Sequence, residues 1–308
     1  MRRLIPLAVA LALALALAAV SVGTADALPR SSGRTDLAAY RGLGTWVDVF
    51  DYVPAFQKAG DHPAVTTGSF ADMSRLGVKT VYLQAAQDDD RSPGDTIDPK
   101  LLGRMLHAAH DAKLRVVAWY LPHFTDVNAD FRRERALLNF KANGQQFDGL
   151  AVDIEWNRGV PDSSERNAAL VDLSKRVRKL AGDRPVGAIV LEPVFLEDVS
   201  PDFWPEFPWR QLASLYDVWL PTSYWTNRNS DSGYKDGFKY TDENIRRVRS
   251  NLNERNAPVH AIGGIADAAL LKDYAGFVRA VKKQRAIGWS IYDYNTTVSS
   301  AWPRLRKG

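Results

Sequence analysis

Short runs rich in Val, Ile, Tyr and Trp alternate along this chain with longer, charged amphipathic stretches. The strand-like runs are "TWVDVFDY" (45–52), "VKTVYLQA" (78–85), "LRVVAWYLP" (114–122), "FDGLAVDIEW" (147–156), "PVGAIVLEP" (185–193), "YDVWLPTSYW" (216–225), "PVHAIGGI" (258–265) and "AIGWSIYDY" (286–294). Residues of these types suit a pleated, half-buried surface. The spacers contain helix-like segments such as "PKLLGRMLHAAHDAK" and "SSERNAALVDLSKRVRKLAG". In the second, Ser163 and Ser164 are placed to cap the first turn and Gly182 to end it. Eight strands alternating with helices predict an α/β fold, a (β/α)8 TIM barrel. The alternative is an open doubly wound sheet, but no Gly-rich phosphate loop follows the first strand.

In a barrel of this kind, functional groups gather at the C-terminal ends of the strands. Side chains alternate there between the barrel interior and the helix layer. In the fourth strand Leu150, Val152 and Ile154 form the bulky apolar set and are expected to face the helices. Gly149, Ala151, Asp153 and Glu155 then point inward, with the two acids at the mouth. The same parity puts Trp46, Asp48 and Phe50 inward from strand one, and Tyr82 and Gln84 from strand two. Strand five contributes Glu192, with Ile189 and Leu191 on the helix face. Strand six offers Tyr224 with Trp225 beside it, strand eight Trp289 and Asp293, and Tyr120 and His123 follow strand three.

Such a mouth, both acidic and aromatic, suits a sugar. Aromatic faces cover the C–H faces of pyranose rings, and carboxylates, Gln and Tyr hydrogen-bond ring hydroxyls. Glycoside hydrolysis commonly uses two carboxylates. Strand seven supplies no acid before Asp267, so the pair expected here is Asp153 and Glu155 on one strand. Like charges this close keep one group protonated near neutral pH, and a protonated Glu155 can donate to a glycosidic oxygen.

The chain has 308 residues and its first 27 read as a secretory leader: "MRR", then "LIPLAVALALALALAAVSVG", then "ADA" ending at Ala27. An uncleaved membrane anchor is the alternative, since the run is long enough to span a bilayer. Residues 28–43 read as a flexible lead-in and 44–308 as a single barrel domain. The expectation is a secreted monomer, extracellular or in the cell envelope, with no membrane contact after cleavage. There is no cysteine, which excludes disulfides and thiol chemistry. The formal net charge of +4 is small, and "RRVR" and "KKQR" lie in helix-like stretches as solvated faces, so no nucleic-acid partner is expected. His107 and His110 are spaced i, i+3 without a third ligand, so neither a metal nor another cofactor is expected.

"FDGLAVDIEW" resembles the strand-four signature D-G-x-D-x-D-x-E of glycoside hydrolase family 18, the chitinase family. Asp148, Gly149, Asp153 and Glu155 match, and Ala151 stands where the family has its first inward Asp. "TSYW" (222–225) resembles the family's M-x-Y-D, with Tyr224 matching and Trp225 replacing the Asp, and Trp289 resembles its strand-eight Trp at the pocket floor. The resemblance implies an acid/base role for Glu155, a substrate acetamido group as nucleophile, and Asp153 and Tyr224 holding that group. It implies a glycosidase acting on an N-acetylhexosamine-containing glycan. Ala151 and Trp225 leave open a carbohydrate-binding barrel without turnover. A weaker resemblance is to glycoside hydrolase family 25, the muramidases, in which Asp48, Asp153, Glu155 and Asp293 would supply the acids.

Overall fold

The computed structural model describes residues 35–308. The expected leader and the start of the lead-in lie outside the described residues. Eight parallel strands close into one barrel in sequence order: β1 (Gly42–Val47), β2 (Thr80–Gln84), β3 (Arg115–Tyr120), β4 (Gly149–Ile154), β5 (Val186–Val190), β6 (Val218–Ser223), β7 (His260–Gly263) and β8 (Gly288–Ile291). β8 pairs back onto β1, with Gly288 opposite Gly42. Around the barrel run α1 (Val49–Tyr52), α2 (Ser69–Arg75), α3 (Pro99–Asp111), α4 (Val127–Asn139), α5 (Ser163–Ala181), α6 (Trp209–Leu212), α7 (Gly237–Leu252), α8 (Leu271–Lys283) and α9 (Trp302–Leu305). α5 begins one residue earlier than the Ser pair suggests. Asp162 is its cap, accepting from the backbone N–H of Ser164 and Glu165, and Gly182 ends it at a positive φ of 58°.

Two apolar clusters reflect the alternation of the strands. The larger lies between sheet and helices and includes Leu150, Val152 and Ile154. The smaller fills the barrel interior and includes Trp46, Tyr82, Val117, Trp119, Ala151, Ile189 and Leu220. Parity in β4 is as expected. In β5 it is reversed: Ile189 points inward, and Val186, Ala188 and Val190 pack on the helices.

The lead-in is structured at its end. Tyr40 is fully buried and closes the bottom of the barrel. Its hydroxyl reaches the Leu150 carbonyl (2.6 Å) and the Pro185 carbonyl (3.2 Å). Its own carbonyl accepts from His260 Nδ1 (2.8 Å). Because a carbonyl can only accept, that nitrogen carries the proton. Burial pushes the pKa of His260 down to about 4, so the ring is neutral. Glycine is required around this plug. A Cβ on Gly149 would lie 2.8 Å from the Tyr40 hydroxyl, and one on Gly288 only 2.2 Å from the Tyr40 carbonyl oxygen.

Candidate active site

The floor of the mouth is aromatic. Trp46 stacks on Tyr82 (4.4 Å between centroids, 12° between planes) and meets the edge of Trp119 at 5.8 Å. The Trp46 Nε1–H donates to Ser290 Oγ (2.8 Å), a partner available because Ser290 is small and inward on β8. Ala151 pairs in register with Trp119, and its small side chain leaves room for that indole inside the barrel.

Two groups of acids stand above this floor. The first comes from β4, β5 and the end of β6. Asp153 is 8% exposed, and its Oδ1 has no hydrogen-bond partner. Burial raises its pKa well above the carboxylate range, and the nearby Glu155 and Glu134 add to this. Glu155 Oε1 is likewise unpartnered. Burial first, and then the charge of Glu192, push Glu155 up to about 8, while the neighbouring Thr222 hydroxyl opposes the rise. Glu192 is 3% exposed and accepts from the Tyr224 backbone N–H (3.2 Å). Burial pushes it up to about 7 against the opposing pull of Arg228. The Tyr224 ring leans into this group, and its phenol is raised by burial and then by Glu155.

The second group stands at the ends of β1 and β8. Carboxylate oxygens of Asp48, Asp51 and Asp293 lie within 4.8 Å of one another. Asp48 ends β1 as the cap of α1, taking the Phe50 N–H (2.8 Å), and its other oxygen accepts from the Tyr292 hydroxyl (2.7 Å). Asp51 accepts from the Asp48 N–H (3.2 Å), and Asp293 from the Thr296 N–H (2.8 Å). Burial and the two neighbouring acids push Asp51 up to about 7. This spacing would admit a cation, but a protein donor already engages at least one oxygen of each acid. Tyr292 joins the two groups, with its hydroxyl on Asp48 and its ring 6.3 Å from Tyr224.

Of the residues expected at the mouth, Trp46, Asp48, Asp153, Glu155, Tyr224 and Asp293 are there. Five others, Phe50 among them, are placed differently. Tyr120 faces the helix layer, drawn outward by a hydrogen bond to Asp130 (2.6 Å). Trp225 is 1% exposed behind the sheet against Phe277, because β6 ends at Ser223 and the chain turns into a 3-10 turn. Trp289 faces outward and donates to the Leu305 carbonyl of α9 (2.9 Å), so it is not the pocket floor. Tyr82 lies in the floor stacked on Trp46, but it is fully buried and its hydroxyl is turned to His260 Nδ1 (3.1 Å), away from the mouth.

Gln84 and Glu192 line the wall with their heads engaged. Gln84 Oε1 takes the Val49 N–H (3.1 Å). Phe50 is not inward. It sits 55% exposed on α1 at the rim, 5.6 Å from the Phe56 ring. Across the mouth, Trp156 follows Glu155 and stacks on His123 (4.2 Å, 17°). Trp119, Trp156, Thr222 and Tyr292 were not singled out from the sequence, nor was Asp51, although "DVFD" at 48–51 carries the spacing of a capping box.

No protein-family model and no curated protein sequence matches the chain. Solved structures do. An endo-1,4-beta-mannanase from Rhizomucor miehei superposes with a TM-score of 0.63 at 11% identity, covering 91% of this chain and 99% of that one. A class V chitinase from Pseudomonas fluorescens Pf-5 gives 0.61 at 8%, with 87% and 99% covered. A family 18 chitinase from Pseudoalteromonas aurantia gives 0.57 at 12%, with 86% and 99% covered. The likeness is one of fold. At these identities the (β/α)8 barrel is shared and the chemistry has to be argued from the side chains.

Proposed function

We propose that this protein is a glycoside hydrolase whose general acid is Glu155, acting on an N-acetylhexosamine-containing glycan. One observation carries the reading: a carboxyl at the mouth, unpartnered at Oε1, whose pKa of about 8 leaves it protonated at neutral pH. A neutral acid in that place can protonate a leaving glycosidic oxygen, a contribution typically worth about 10²–10⁴-fold in rate. Asp153, with its free Oδ1, and the Tyr224 phenol flank it and are the groups that would hold an acetamido substituent against the anomeric carbon. The order of basic, apolar and small residues over 1–27 supports export. An intact Met1 on protein recovered from the medium would refute it.

The Asp48–Asp51–Asp293 group favours a second reading, in which a protein carboxylate and not the acetamido oxygen meets the anomeric carbon. The test is turnover on chitin oligomers, peptidoglycan and neutral glucans by wild type, Glu155→Gln and Asp153→Asn. The acetamido mechanism requires that Glu155→Gln abolish hydrolysis while binding survives, that Asp153→Asn slow it, and that a thiazoline mimic of the cyclised intermediate inhibit. Turnover insensitive to the thiazoline would favour the second reading. Glycan binding without turnover in wild type would make the barrel a lectin. Full activity of Glu155→Gln would overturn the assignment of the acid.

A further inference from the structure

The two basic runs "RRVR" (246–249) and "KKQR" (282–285) are far apart in sequence but converge in space. They lie at the C-terminal ends of α7 and α8, which pack side by side and lead into β7 and β8. That places them on the N-terminal face of the barrel, opposite the mouth. Between them runs a groove of about 790 Å³, lined by Arg246, Arg249, Arg255, Lys283 and Arg285, with Glu254 as its one acid. The rest of the lining is Ser, Asn and Gln.

The positive charge there is weakly compensated. Arg249 spends its guanidinium on the Gln284 carbonyl (2.7 Å) and the Ala257 carbonyl (3.3 Å), which hold it in place without neutralising it. Arg255 and Arg285 are exposed and make no ion pair within 4.0 Å among the described residues. Arg246 pairs with Glu243 and Lys283 with Asp242, but both cations are more than half exposed. Exposed pairs are worth little and can be exchanged for a better anion.

We infer that this groove docks a hydrophilic polyanion, a linear sugar- or polyol-phosphate chain. Four of the five cations are Arg, whose fork fits a phosphate group. No aromatic or aliphatic side chain lines the groove. Single-stranded nucleic acids are held by base stacking on aromatic platforms, and amphipathic membrane anchors by apolar insertion, and this lining offers neither. A chain bound here leaves the mouth open on the other side of the barrel. The inference does not depend on which glycan the mouth accepts.

The test uses the full folded protein and a poly(glycerol phosphate) probe, with polygalacturonate, dextran and oligo-dT as comparisons. Binding of poly(glycerol phosphate) should weaken steeply with salt. Arg255→Ser/Arg285→Ser should lower affinity by about ten-fold or more and reduce the slope of log K against log salt by about 1.4, near 0.7 for each lost contact. Both residues are exposed and remote from the mouth, so the melting temperature should not move. Arg255→Glu/Arg285→Glu should abolish binding. The inference is overturned if poly(glycerol phosphate) does not bind at low salt, if dextran or polygalacturonate binds as well, if oligo-dT binds more tightly, or if the double variants bind like wild type.

Discussion

Keeping Glu155 protonated has a thermodynamic cost that can be measured without knowing the substrate. Its pKa is raised from an ordinary 4.5 to about 8, and burial is the main cause. Between those values the folded protein holds a proton that the unfolded chain releases, so stability falls as pH rises through this window. Below pH 4.5 both states are protonated and the penalty vanishes. At pH 7 it amounts to roughly 1.36 × (7 − 4.5), or about 3 kcal/mol. Glu155→Gln has nothing to ionise and should recover much of this. About 3 kcal/mol is the upper end, because the amide head is still buried beside an unpartnered Asp153 oxygen. Urea unfolding of wild type and Glu155→Gln from pH 4 to pH 9 reads the effect directly. The two curves should meet near pH 4 and separate progressively up to pH 8, with the variant more stable. A variant that is more stable yet inactive would separate loss of the acid from loss of the fold, a trade expected at active sites. A stability difference that stays constant across the range would show that Glu155 is not held neutral, and the general-acid assignment would lose its physical basis.

Two further outcomes are expected. The alkaline limb of the pH–rate profile should lie near pH 8, where Glu155 loses its proton, and Glu192→Gln should move that limb to lower pH by removing the nearest raising charge; an unmoved limb would mean the two carboxyls do not interact. Tyr40→Phe should cost about 1 kcal/mol through its lost hydroxyl contacts and Tyr40→Ala about 3–5 kcal/mol through the emptied barrel bottom, both read by denaturant midpoint; a neutral Tyr40→Ala would mean the plug does not support the fold.

The order of strands and the parity of β4 were readable because Leu150, Val152 and Ile154 contrast with Gly149 and Ala151, so only one face can be the packed one. In β5 the contrast is missing. Gly187 and Ala188 are both small, and a single inward Ile189 decides the face. Glu192 reached the site all the same, because the strand stops at Val190 and the chain turns. Strand ends were the harder part. Alternation fails where the backbone leaves the sheet, as it does at Asp48 and at Ser223, and Phe50 and Trp225 were misplaced for that reason. Trp289 and Tyr120 went outward because α9 and Asp130 offer partners that no local pattern announces. Ser290 and Tyr292 share the inward face at β8, the opposite of the parity expected from Trp289 and Asp293, and so Tyr292 was missed.

The Tyr40 plug also bears on the order in which the chain can assemble. Its hydroxyl contacts lie 110 and 145 residues further along the sequence, and its carbonyl partner His260 lies 220 away. β1 needs β8 as well as β2. A ribosome therefore releases the first strand and its plug long before anything exists to receive them, and non-local pairings of this kind form slowly. Until β8 emerges, the nascent chain carries an open strand edge and an unseated aromatic ring. Barrel closure is a late, whole-chain event, and fragments that stop short of β8 should populate open, association-prone species and not smaller folded barrels.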